Sequence, residues 1–256
     1  MLLQCGKDGP GDEPRPAAGW LGSATLDSLS EVNENALALL AEQALAPGAP
    51  GPMLRELAAA LSALDPAARR RAAACPYLLL DAGFAERERW RSPAALAEPG
   101  PGGAAFFTVP GTVEVARLTL TYAWHLARAQ SVAARVLLGI PPACVTLIAA
   151  LTLRQIHTLA ERHPHWLRPR WPSHREWWRV LLAAATAGEP RALERARLHG
   201  LTLLAADARA ARELPLAAAP LPALRPAPRP APSVSCVISP AGTASTAPSP
   251  RSPTRP

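Results

Sequence analysis

His157, His163, His165 and His174 are the residues that most invite a chemical reading, because imidazole is a common metal ligand. A zinc site needs three or four ligands converging at about 2 Å. The spacing contains no helical HxxxH pair, and only Glu161 groups with the histidines as a further ligand type. Solvated or hydrogen-bonded surface histidines are the simpler account, so no metal is expected. Cys75 and Cys144 would be nucleophiles only beside a base in a polar cleft, yet both sit among Ala, Leu and Val. Neither G-x-S-x-G nor G-x-x-x-x-G-K occurs, and carboxylates are sparse. Neither an enzyme nor a cofactor is expected.

Trp166, Trp171, Trp177 and Trp178 lie close together with Arg168, Arg170, Arg175 and Arg179 interleaved. Such rings fill gaps in an alanine-rich core, anchor a protein interface or stack on bases; all three remain open from sequence. Just before them, Thr152 to Arg162 presents a polar side. Arg154, Gln155, Thr158 and Arg162, with Arg168, Arg170 and Trp171 from the link, are the candidate contacts to DNA or to a partner.

The 256 residues suit one domain or two small ones. Apolar residues reach 49% but aromatics only 5%, so the core is built from Ala and Leu, which favours helix over strand. The net charge of +7 comes almost wholly from arginine, with Lys7 the only lysine. That permits a phosphate-bearing or acidic partner, although base composition of a genome produces the same bias. Four scattered cysteines without CxxC indicate a reducing compartment. The N-terminus lacks a signal-peptide apolar region, and apolar runs stop well short of the roughly 18 residues a membrane span needs. A cytoplasmic protein with no membrane partner is expected.

Periodicity then places the elements. Residues 1–25 and 214–256 read as disordered tails, the second rich in Pro, Ala and Ser. Residues 26–91 form an N-terminal helical subdomain. Within it, Leu29, Val32, Ala36, Leu39/Leu40 and Gln43 mark one helix, and Leu54, Leu57, Leu61 and Leu64 mark a second. Asp65-Pro66 caps a third, whose Arg69, Arg70 and Arg71 are expected on its wet face. CPYLLLDAGF is either a buried helical turn or a strand. Residues 92–111 are a linker pinned by Phe106-Phe107.

Residues 112–213 form a second helical domain. A long helix is expected from Val113 to Leu138, stopped by Gly139, with Arg117, Thr121, His125, Arg128 and Arg135 in line on its outer side. A short helix, apolar nearly all round, follows Pro141-Pro142. Thr152 and Gln155 make a capping box for the next, with Leu153, Ile156, Leu159 and Ala160 inward. Ser173 and Glu176 are read as a second box, and Gly200 as a candidate break in the last helix. The fold class is all-α: a multi-helix orthogonal bundle with a helix-turn-helix-like centre.

At that centre the chain resembles the flagellar transcriptional regulator family FlhD. The resemblance runs through LTYAWHLARAQS, Leu138-Gly139-Ile140, Ala150-Leu151-Thr152-Leu153-Arg154-Gln155, Leu159-Ala160-Glu161 and Arg170-Trp171, over residues 113–186. Leu167 stands where some members carry a cysteine. The resemblance implies an all-α homodimer that assembles with a zinc-binding FlhC-like subunit and acts on DNA directly or through that partner. It also implies dimerisation through the helix from Val113, and places Thr152 to Arg170 in the helix-turn-helix-like part. The alternative expectation is a helical interaction or scaffold protein of a motility or secretion system without DNA binding. A continuous basic face over Arg117, Arg128, Arg135, Arg154 and Arg162 would favour DNA; acidic interruptions would favour the scaffold.

Overall fold

In the computed structural model, the described residues are 22–47, 51–91 and 104–213. The expected tails therefore fall almost wholly outside them. The described residues are all-α apart from one two-residue strand pair. In chain order the helices are α1 (Ser23–Leu45), α2 (Pro52–Ser62), α3 (Pro66–Ala73), α4 (Arg87–Arg91) and α5 (Thr112–Ala129). They continue as α6 (Ser131–Leu138), α7 (Pro142–Ala150), α8 (Leu153–Arg162), α9 (Arg175–Ala187) and α10 (Pro190–Glu213). Strands β1 (Leu80–Asp81) and β2 (Arg168–Pro169) pair antiparallel, Leu80 opposite Pro169 and Asp81 opposite Arg168.

Local chemistry explains most boundaries. Asp65 accepts the Ala68 N–H at 2.6 Å and Pro66 starts α3, as the sequence predicts. Gly139 and Gly188 end α6 and α9 in the left-handed conformation, φ 63° and 67°. Two expectations fail. The helix from Val113 is not continuous, because Gln130 leaves helical geometry (φ −147°, ψ 74°) and separates α5 from α6. Gly200 does not break α10; it admits Tyr77, whose hydroxyl donates to the Arg197 carbonyl at 3.2 Å. A Cβ at Gly200 would overlap that hydroxyl. Gly200→Ala is therefore expected to destabilise by about 1–3 kcal/mol, outweighing alanine's better helix propensity of about 1 kcal/mol. A raised melting temperature would contradict this.

Helix α5 packs on α1, α6, α7 and α8, while α9 packs on α2, α3 and α10. Helix α1 touches α2, α3 and α5, and so joins the two groups. Apolar residues from both sides of the 92–111 link belong to one buried cluster, from Leu29 to Leu204. The boundary expected there is a change in composition, and the packing runs across it. Phe107 is buried against Phe106, and Thr108 is gripped by Gln43, whose carbonyl accepts its N–H at 2.6 Å.

The segment between α3 and α4 settles the ambiguity of CPYLLLDAGF. It is neither a helix turn nor a full strand, but an irregular, buried run that other elements bond to. Asn33 of α1 donates to the carbonyls of Ala73 (3.1 Å) and Tyr77 (2.9 Å) and accepts the Leu79 N–H (2.8 Å). The Leu78 N–H reaches the Leu137 carbonyl at 3.1 Å, and the Arg170 N–H reaches the Leu79 carbonyl at 2.9 Å. Backbone groups that no helix satisfies are thus paired at long range.

Arg71 is not simply wet: its Nε donates to the Ala185 carbonyl at 2.8 Å and ties α3 to α9. Helix α7 buries only Cys144, Val145 and Ile148, leaving Ala143, Thr146 and Ala150 exposed. No single described helix is long and apolar enough to cross a membrane; α6 with α7 passes on composition only as a pair bent by 119°.

Candidate interaction surface

Helix α8 is held at its start by the capping box read from the sequence. Thr152 Oγ1 accepts the Gln155 N–H at 3.3 Å, and Gln155 Oε1 accepts the Thr152 N–H at 2.8 Å. Trp124 of α5 donates to the Leu151 carbonyl at 2.7 Å just ahead of it. Ile156, Leu159 and Ala160 face the core, but Leu153 stays 42% exposed. The cap occupies the Gln155 amide carbonyl, and the Thr158 hydroxyl donates back to the Arg154 carbonyl at 2.9 Å. Arg154 and Arg162 are exposed, near the two ends of the helix.

The expected line of arginines does not form one basic face. Arg117 sits between two carboxylates, Glu114 at 2.8 Å and Glu161 of α8 at 3.0 Å. Those partners hold its pKa above the ordinary arginine value, the Glu161 hydrogen bond most of all. Arg128 lies over the Trp124 ring at 5.0 Å. The Glu161 pair fastens α8 to α5, and the two carboxylates set negative charge against Arg117 within the arginine line.

The Trp/Arg link divides in two. Arg168 is exposed on β2. Arg170 is only 7% exposed, and its guanidinium donates to the Leu138 carbonyl at the end of α6. Burial lowers its pKa, opposed by Asp81 and Asp207. Trp171 is also buried, and its indole N–H donates to Asp207 at 2.6 Å. Its backbone is left-handed (φ 50°), a conformation that costs energy for a bulky residue and is held here by the packed ring. Trp177 and Trp178 donate to the carbonyls of Ala196 (3.0 Å) and Arg170 (2.9 Å). Trp171, Trp177 and Trp178 meet edge-on, with neighbouring centroids 4.9 Å apart. Among the open alternatives, these rings are core, and Arg170 and Trp171 are spent inside the fold.

The second capping box is absent. Helix α9 starts at Arg175, so His174 and not Ser173 is its N-cap, with no side-chain bond; Glu176 pairs with Arg179, and Arg175 with Glu56 of α2. His163 is buried and stacks on Trp166 at 4.3 Å; His165 meets it edge-on at 5.5 Å. Burial, then His163 and Arg89, depress the His165 pKa. Among the described residues, no three His, Cys, Asp or Glu side chains gather as a metal site. Cys75 and Cys144 are buried free thiols, and burial pushes Cys75 up to about 11, far from thiolate character at neutral pH.

A different surface emerges only from the folded chain. On α6, Val132, Arg135 and Val136 share one outer stripe at i, i+3 and i+4, with Val132 55% and Val136 43% exposed. Opposite them, α10 offers Leu201, Leu204, Ala205 and Ala208 at i, i+3, i+4 and i+7. The turn over residues 139–142 forms the floor of the resulting groove, of about 330 Å³. Gly139 also lets α10 come close, since a Cβ there would lie 2.7 Å from a Leu204 methyl. Reading α5 and α6 as one helix with one apolar face hides the outer stripe of α6.

Comparison with protein-family models, with curated proteins and with solved structures yields no match.

Proposed function

We propose that the chain is a non-enzymatic helical protein that works by binding another protein, in the manner of a scaffold or regulatory subunit of a motility or secretion system. The observation that carries this reading is the apolar groove between α6 and α10, where Val132 and Val136 stand open to solvent opposite a half-buried leucine-alanine stripe in which Ala205 is exposed and Leu204 is buried. Exposed apolar surface of this kind on a folded domain favours a protein contact. The neutralised Arg117 supports the same side of the choice, since glutamates interrupt the arginine line. A reducing, cytoplasmic setting fits the buried free thiols of Cys75 and Cys144.

The second reading is an FlhD-like regulator, homodimeric and acting with an FlhC-like partner on DNA. What favours it is the capped helix α8 with Arg154 and Arg162 exposed near its ends. Binding of the full-length chain to duplex DNA across a salt series separates the two. The interaction reading expects no retention at about 150 mM salt, with or without the protein partner. A protein neutralising several phosphates would bind at low salt and lose about 10³–10⁵ in affinity between about 50 and 200 mM. That steep loss would overturn the first reading and establish the second.

A further inference from the structure

The groove carries a charge as well as an apolar lining. Arg135 is exposed among the α6 valines, and Arg209, also exposed, follows Ala205 by one turn of α10. The acid on that turn, Asp207, accepts the indole N–H of Trp171. The opening thus has aliphatic walls and one lining arginine, Arg135, with Arg209 one turn beyond Ala205 and no carboxylate among its lining residues.

Resting on the protein-interaction reading, we infer that the α6/α10 groove takes an acidic amphipathic helix. Its aliphatic residues at i, i+3, i+4 and i+7 would seat between Val132/Val136 and Leu201/Ala205, and its flanking carboxylates would meet Arg135 and Arg209. Helix-in-groove binding of this type draws its affinity from the buried apolar anchors. The rim charges set preference and rate more than affinity. A basic helix with the same anchors is disfavoured by the same two arginines.

The test uses the full-length chain and three fluorescent model helices that share one leucine stripe but carry Glu, Gln or Lys on the flanks. Fluorescence anisotropy should rank them Glu, then Gln, then Lys, with the spread narrowing as salt rises. Val136→Asp should weaken the Glu-flanked helix by about tenfold or more. Arg135→Glu should move preference toward the Lys-flanked helix by about two- to fivefold. Both positions are exposed, and melting curves of the variants confirm folding; Val132→Asp serves if Val136→Asp misfolds. Equal binding of all three helices, a Lys-first order, or indifference to Val136→Asp overturns the groove assignment while leaving the wider reading intact. Self-association of the free chain that Val136→Asp abolishes also overturns it, by making a second copy the occupant. Salt-steep DNA retention instead overturns the wider reading, whatever the peptides show.

Discussion

Replacing Asn33 by alanine is expected to destabilise the protein by about 3–5 kcal/mol, read as a shift in the urea midpoint at unchanged slope. Asn33 is fully buried, and its amide serves three backbone groups at once: the carbonyls of Ala73 and Tyr77 and the N–H of Leu79. The Ala73 carbonyl lies at the open C-terminal end of α3 and the other two groups in the irregular run after it, so none has a substitute partner in a helix or sheet ladder. Each buried group left unpaired costs about 1–3 kcal/mol. Asn33→Asp tests the same point differently. A carboxylate still accepts from Leu79, but it offers nothing to the two carbonyls and places a charge in the core. It should be at least as damaging as alanine at neutral pH. A loss below about 1 kcal/mol for both variants would show that Asn33 does not organise this segment.

Trp177→Ala should cost a similar amount, about 3–5 kcal/mol. The ring is 2% exposed, lies 4.9 Å from both Trp171 and Trp178, and donates to the Ala196 carbonyl of α10. Its loss removes apolar contact and the indole's bond to that carbonyl, and so loosens α10 from α9. Trp177→Phe keeps much of the volume but not the donor, so it should fall between wild type and alanine. Hydrogen exchange supplies the specific check, because amides of α10 should lose protection before those of α1 and α2. A uniform loss throughout the protein would mean that α10 is not held chiefly by this ring.

What the sequence reveals is what neighbouring residues decide. The cap at Asp65, the box at Thr152 and Gln155 and the stops at Gly139 and Gly188 all appear where their chemistry requires. The apolar stripes of α1 and α2 are also readable, since a helix face is a local pattern. What escapes is decided at a distance. Gln130 breaks a helix whose apolar period runs straight through it, and no Pro or Gly announces the break. Gly200 looks like a breaker but is a seat for Tyr77, more than a hundred residues earlier. Ser173 and Glu176 have the spacing of a box, yet the glutamate takes Arg179 instead. Arg170 has the look of a surface cation, and only the end of α6 explains its burial. Of the candidate site, the polar side of α8 is legible and largely proves to be tied to its own helix or to α5. The groove needs two helices distant in sequence, and so leaves no local signature.

The irregular run over residues 75–84 has one more consequence, for how the chain reaches this state. An all-α protein usually folds fast because its contacts join near neighbours. Here the bonds to Asn33, Leu137, Arg170 and Arg197 span sequence separations closer to those of a β-sandwich than of a bundle. Helices on either side can form early and still leave the molecule unfinished. Completion waits for one coil to be captured by four distant elements, each capture carrying the entropy of a long loop. The slowest step in folding this helical protein is therefore expected in its least helical part.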